Sequence, residues 1–155
     1  MILHERLGNW ARQLRPRLHD LPIRWFETRS TADLDLLLIG MASPVVLIDL
    51  GSRPTAGLRG LQAILHRASE ARVLVLDPEV HQEAAGLARE LGATHVIPGF
   101  APPPVVASLL RRWVKLAQRR IERRGWSRAL TPDPESEPWS WLAPYLADPS
   151  RASMT

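Results

Sequence analysis

The chain has 155 residues, 45% of them apolar, which is the size and composition of one ordinary domain with its own core. It contains no cysteine, which excludes a disulfide framework, a thiolate nucleophile and a Cys-ligated metal site. Basic residues exceed acidic residues by 20 to 16; the segment from Ala129 onward carries a net charge of −3, and residues 1–128 carry +7.

Five short β-rich runs recur along the chain. We predict strands at residues 1–5, 23–29, 44–50, 71–77 and 94–99. The runs at 44–50 and 71–77 are almost continuously apolar, as expected for strands that are covered on both faces. A central parallel sheet follows from this pattern.

Helix-length segments separate these strands, and we predict helices at residues 6–18, 30–42, 56–70, 78–92 and 101–125. Pro16 should end or kink the first helix. Ser30 or Thr31 is expected to cap the start of the second helix, and Gly92 the end of the fourth. Two apolar stripes are expected to face the sheet: Leu58, Leu61 and Leu65, and Ala84, Leu87 and Leu91. The alternating order predicts an α/β fold, a three-layer α/β/α sandwich around a five-stranded parallel sheet.

The stretch LIDLGSRPTAGLRGL, residues 47–61, has Asp49 at the end of a strand, a short Pro-containing loop, and Gly57 eight positions after the aspartate. Together with LARELGATHVIPGF, residues 87–100, it resembles the receiver domain of bacterial two-component response regulators, over residues 1–125. The resemblance implies the flavodoxin-like strand order 2-1-3-4-5, with the site at the carboxyl ends of the strands. We expect Asp49 and Asp77 to lie side by side at that edge, above these core residues: Val46, Leu47, Val73, Val75 and Val96.

The resemblance also implies an active site, and this sequence departs from it at most positions. Where the family has two acidic residues that hold magnesium, this chain has His4 and Glu5. Asp77 stands in place of a Ser or Thr, and Gly99, or Pro98, in place of a Lys. Only Asp49, the phosphate acceptor of the family, is retained, so the five positions His4, Glu5, Asp49, Asp77 and Gly99 form a degenerate acidic pocket.

These changes disfavour phosphoryl transfer, which needs positive charge around the equatorial oxygens. The lysine charge is missing, and two carboxylates about 5 Å apart repel by roughly 3 kcal/mol at an effective dielectric constant near 20. We therefore expect a phosphorylation-independent regulatory and protein-interaction module that is not an enzyme and has no cofactor. The alternative is a working receiver that is phosphorylated on Asp49.

Each residue of the pocket also has a simpler interpretation. Asp49 at a strand end is expected to bond nearby loop amides. Glu5 and Asp49 are weak candidates for a cation site, but a solvated acidic mouth is the more ordinary arrangement. Three histidines, His66, His81 and His95, have no metal-ligand spacing and are interpreted as surface or loop residues.

A basic segment, residues 111–128, follows the last predicted strand and contains eight basic residues and one acid. Its apolar stripe, which includes Trp113, is expected to pack on the sheet or on a partner. In the receiver family the face made by the fourth helix, fifth strand and fifth helix is the usual partner surface, so we expect a protein partner there, including a homodimer. Nucleic acid is the alternative partner. The basic residues assigned to partner binding are Arg112, Lys115, Arg119 and Arg123.

The tail, residues 126–155, begins with a Pro-rich and acidic linker and then concentrates aromatic side chains. Trp139, Trp141 and Tyr145 form an apolar cluster too large to be left in water without cause. The cluster is expected either to fold back on the domain or to dock into another protein, and so to regulate access to the partner surface. With no signal peptide and no membrane span in the sequence, we expect a cytoplasmic protein without a membrane partner.

Overall fold

The computed structural model describes residues 1–41 and 43–130. The three aromatic residues predicted to contact a partner from the tail, Trp139, Trp141 and Tyr145, lie outside the described residues. The chain divides into two compact units, Met1–Ile121 and Glu122–Thr155. The first unit contains the whole sheet, and the described part of the second is the end of the last helix. The predicted division into residues 1–125 and 126–155 stays a prediction.

A five-stranded parallel sheet forms the centre of the first unit. Its strands are β1 (Ile2–His4), β2 (Phe26–Thr28), β3 (Val45–Asp49), β4 (Arg72–Asp77) and β5 (His95–Pro98). Their spatial order is β2-β1-β3-β4-β5, which confirms the predicted order and fold class. The register pairs Leu3 with Leu47 and Asp49 with Leu76, so the ends of β3 and β4 lie at the same edge of the sheet.

Helices connect the strands, and the structure gives α1 (Asn9–Leu14), α2 (Thr31–Leu38), α3 (Pro54–Arg67), α4 (Ala84–Glu90) and α5 (Pro103–Leu130). Two predicted caps are confirmed. The Ser30 hydroxyl accepts a hydrogen bond from the Asp33 N–H at the start of α2, and Gly92 follows α4 with φ +99°. α4 starts six residues later than predicted, because Val80 and Glu83 have positive φ, which an α-helix does not accommodate.

Both faces of the sheet are covered, which explains the nearly continuous apolar sequence of β3 and β4. One cluster packs the sheet against α2, α3 and α4, and the other packs it against α1 and α5. The predicted core residues are all buried: Val46, Leu47, Val73, Val75 and Val96. No described helix is long and apolar enough to cross a membrane.

The predicted helix stripes are only partly correct. The buried face of α3 consists of Gly57, Gly60, Leu61 and Ile64, whereas Leu58 and Leu65 pack at its margin. In α4 the buried residues are Ala84 and Ala88, and Leu87 is 44% exposed. A helix of seven residues makes about two turns, so two adjacent apolar positions compete for one buried site and the pattern does not decide between them.

The amino-terminal part of α5 packs on the sheet through one face. Trp113 is only 6% exposed and lies in the core beside Leu110 and Ala117. The sequence predicted that Trp113 would pack either on the sheet or on a partner, and in the structure it packs on the sheet. The basic residues predicted to point elsewhere are at least partly exposed: Arg112, Lys115, Arg119 and Arg123.

Candidate functional site

A cleft of about 490 Å³ opens at the carboxyl ends of β1, β2 and β3. It brings together three of the predicted pocket residues, His4, Glu5 and Asp49. Asp77 and Gly99 lie at the same edge of the sheet but do not line the cleft. The remaining lining residues come from the loops after these strands and the start of α3: Arg6, Leu7, Arg29, Leu50, Gly51, Ser52, Arg53, Ala56 and Gly57.

Glu5 is engaged by the start of α1. The Trp10 N–H donates to its Oε2 at 2.8 Å, and the Ala11 N–H donates to its Oε1 at 2.7 Å. Glu5 is buried, and these bonds compensate its carboxylate while satisfying two helix amides that have no partner within the helix. Glu5 therefore acts as a helix cap, with one amide on each carboxylate oxygen.

Both ring nitrogens of His4 lie against other parts of the protein. Its Nδ1 lies 2.9 Å from the Thr28 hydroxyl, inside the protein, and its Nε2 is the nearest atom to the backbone position where a side chain on Gly60 would begin. Burial lowers the pKa of His4, with an opposing contribution from Asp33. The ring is therefore neutral at neutral pH and serves the packing between β1 and α3.

Asp49 is half-buried at the end of β3, where its Oδ1 accepts a hydrogen bond from the Gly51 N–H at 3.2 Å. This bond agrees with the loop-capping role expected from the sequence. Burial raises the pKa of Asp49; the Gly51 bond opposes this, and the charges of Glu5, Glu79 and Asp77 add to it. The neighbouring carboxylates of Glu5, Glu79 and Asp77 thus disfavour the ionised form of Asp49.

Asp77 is fully buried, so the solvated acidic mouth expected from the sequence is not what the structure contains. Its Oδ2 accepts the His81 N–H at 2.9 Å, and its Oδ1 lies 2.5 Å from the His81 Nδ1. His81 is accordingly a partner of Asp77 and not an ordinary loop histidine. This pair links the end of β4 to the middle of the loop that leads to α4. Val80 lies within that loop, and its φ of +54° is strained for a β-branched residue.

Gly99 is one of the two positions, with Pro98, that the resemblance matches to the lysine of the family. Its N–H donates to the main-chain oxygen of Asp77 at 2.8 Å, and its φ is +76°. A side chain would be strained in this conformation, so the backbone favours glycine here. The end of β5 therefore offers no charge to a phosphoryl group.

The residues present do not reproduce the magnesium site of the family. The resemblance matches His4 to one of the two acids, and the His4 Nδ1 lies against the Thr28 hydroxyl. Each oxygen of Glu5 already accepts an amide N–H. Within residues 1–41 and 43–130 no group of three or more His, Cys, Asp or Glu side chains is arranged to hold a metal ion.

Three arginines of the cleft were not predicted from the sequence. Arg6 lies in the loop after β1, Arg29 directly follows β2, and Arg53 precedes α3. A signal was present, since each follows a strand end and parallel strand ends converge on one edge. It was hidden by the abundance of arginine, which accounts for nearly all the basic residues of the chain.

Solved structures similar to this chain include several receiver domains. A response regulator from Burkholderia pseudomallei, with a phosphorylated aspartic acid, calcium ion and citrate, has a TM-score of 0.60 at 17% identity over 77% of this chain and 70% of that one. A CheY-like protein (tadZ) from Pseudomonas aeruginosa has a TM-score of 0.58 at 17% identity over 72% of this chain and 96% of that one.

The receiver domain of a Pseudomonas aeruginosa sensor histidine kinase, with magnesium in its active-site cleft, has a TM-score of 0.55 at 13% identity, over 74% of this chain and 95% of that one. No protein-family model and no curated protein matches this chain by sequence. From the strand order and these similarities together, we conclude that the chain has the fold of a response regulator receiver domain.

Proposed function

We propose that this protein is a receiver-like regulatory module of bacterial signalling that works through protein interaction, without phosphorylation of Asp49. The observation that carries the proposal is the engagement of Glu5, whose two carboxylate oxygens accept the first amides of α1. A receiver needs its acidic side chains for magnesium, and here the remaining acid of the pair stabilises a helix instead. The proposed module is not an enzyme and needs no cofactor.

The surroundings of Asp49 support the same proposal. Asp77, which stands where the family has a hydroxyl donor, is buried and bonded to His81. Gly99 offers no side chain at the position of the lysine. The charges of Glu5, Glu79 and Asp77 disfavour further negative charge on the Asp49 carboxylate itself. Electrostatic stabilisation of charge at the acceptor is the main source of catalysis in phosphoryl transfer.

The proposal is tested by incubating the full-length protein with acetyl phosphate or phosphoramidate and magnesium and measuring its intact mass. We expect no gain of a phosphoryl group under conditions that fully modify a working receiver run in parallel. The Asp49→Asn variant is the matched control. A stable phosphoryl adduct that is present in the wild type and absent from Asp49→Asn would establish the alternative, a phospho-accepting receiver.

The partner surface proposed is the face formed by α4, β5 and α5. β5 is an edge strand that pairs only with β4 within the described sheet, and an exposed strand edge is a template for association. The helices before and after β5 in the sequence each carry an exposed apolar side chain, Leu87 on α4 and Val105 on α5. A second copy of the chain or another protein is the proposed partner, and Leu87→Glu with Val105→Glu should weaken the association seen by light scattering or pull-down.

A nucleic acid is the second candidate partner, and one observation favours it. The pKa of Arg72 is lowered by burial and then by the nearby charges of Arg120 and Arg112, so positive charges gather beside α5. If this basic face binds nucleic acid, DNA retention should fall steeply with salt and fall further in Arg112→Gln. Retention that is equal in Arg112→Gln and wild type excludes this face as the contact.

A further inference from the structure

Three arginines surround the cleft at the ends of β1, β2 and β3. Arg6, Arg29 and Arg53 all line it, and they arrive from three different loops. These strands are neighbours in the order β2-β1-β3. The chain first adds β2 on one side of β1 and then crosses to the other side to form β3, so the direction in which strands are added reverses between β1 and β3. Ligands of open parallel α/β sheets bind at this kind of switch point.

The charge of the cleft is set by these arginines. Its lining residues include three arginines and only two acids, Glu5 and Asp49, so the positive charges outnumber the negative charges. The Glu5 carboxylate is compensated by the amides of Trp10 and Ala11, and one oxygen of Asp49 accepts the Gly51 N–H. The lining as a whole therefore favours a bound anion over a bound cation.

The three guanidinium groups are also available. Three arginines elsewhere in the described residues make ion pairs: Arg15 with Glu27, Arg67 with Asp35 and Arg111 with Asp20. Within the described part of the chain, Arg6, Arg29 and Arg53 make no ion pair and no side-chain hydrogen bond. Guanidinium groups match phosphate oxygens with paired N–H donors, which makes arginine the residue best suited to this anion.

We propose that this cleft binds a phosphate-bearing small molecule without covalent transfer, with Arg6, Arg29 and Arg53 as its anchors. The cleft volume of about 490 Å³ lies within the range of small-molecule sites. Three positive groups on separate loops suit a ligand with more than one negative charge, such as a diphosphate. This binding activity is additional to the proposed function, because it depends on the three arginines and leaves Asp49 unmodified.

The experiment titrates the full-length protein with pyrophosphate at constant ionic strength and follows heat by calorimetry. We expect saturable binding. The Arg29→Gln and Arg53→Gln variants should each lose about tenfold or more in affinity, since each removes charge-assisted hydrogen bonds to the anion. Arg59→Gln is the matched control, because Arg59 is an arginine on α3 that does not line the cleft, and its affinity should be unchanged.

Asp49→Asn gives a second readout with the opposite sign. Removing this carboxylate should strengthen pyrophosphate binding, whereas a cation site would be weakened by the same change. Absence of saturable binding, an equal loss in Arg59→Gln, or weaker binding in Asp49→Asn would each overturn the proposal. Equally tight binding of citrate would overturn the assignment to phosphate. The intact-mass experiment on Asp49 reports covalent transfer, so failure of that proposal is distinguishable from failure of this one.

Discussion

At the scale of single residues, the carboxylates at the edge of the sheet have different roles. Glu5 caps α1, Asp77 holds a loop through His81, and Asp49 bonds a single loop amide. The sequence predicted that these residues would meet and that Asp49 would bond a loop amide, but it did not predict the roles of Glu5 and Asp77. The role of Glu5 depends on where α1 begins: the pattern placed that start at Arg6, and the structure places it at Asn9, which brings the amides of Trp10 and Ala11 to the carboxylate.

Asp49 allows a prediction at this scale. Its folded pKa is raised above the ordinary value of 3.8, so between those two values the folded state holds more protons than the unfolded state. The free energy of unfolding therefore falls as pH rises through that window. Asp49→Asn removes the titrating group and retains an oxygen for the Gly51 N–H, so the variant should be more stable than wild type at pH 7.

Denaturant unfolding at pH 7 and at about pH 3.5 measures this difference. The gain from Asp49→Asn should shrink toward zero at the lower pH, where the wild-type carboxyl is largely protonated in both states. Glu90→Gln, a change at an exposed carboxylate of α4, controls for loss of charge alone. The same gain at both pH values would show that the burial of the Asp49 charge is not its cause.

At the scale of elements, the glycine eight positions after Asp49 has a packing reason. A Cβ on Gly57 would lie 2.5 Å from Leu50 Cδ2 and 3.3 Å from Ile48 Cγ2. A side chain at this position of α3 therefore requires the buried Leu50 side chain to move. This contact holds α3 against the loop that carries Arg53 into the cleft.

The element-scale prediction compares two glycines in helices. Gly57→Ala should lower the free energy of unfolding by about 1–2 kcal/mol, because the cost of overpacking, about 1–3 kcal/mol, exceeds the gain in helix propensity. Gly86→Ala in α4 is the matched control, since nothing lies within 4 Å of its Cβ position, and it should raise stability by about 0.5–1 kcal/mol. Equal effects at the two sites in denaturant unfolding would refute the close approach of α3.

At the scale of the whole molecule, the sequence was sufficient for the fold but not for the cleft. Continuous apolar strands and alternating helices determine a parallel sheet, and the strand order followed from the receiver resemblance. The late start of α4 was not predictable, because it depends on the contact between Asp77 and His81, which are brought together only in the folded chain. The convergence of Arg6, Arg29 and Arg53 was equally hidden, since it emerges only when three loops are placed around one edge.

Repulsion between Arg72 and two arginines of α5 should lower the stability of the protein. The chain carries a net charge of +4, and the pKa of Arg72 is lowered by burial and then by Arg120 and Arg112. Arg112 is exposed, so Arg112→Gln should relieve repulsion and raise stability by a few tenths of a kcal/mol at low salt, where the screening length is about 30 Å at 0.01 M. At 1 M salt the length falls to about 3 Å, and the gain should disappear. Arg119→Gln removes the same charge from the same helix without acting on Arg72, so it should change stability less. A gain from Arg112→Gln that persists at 1 M salt would mean that helix propensity or packing, and not repulsion, is responsible.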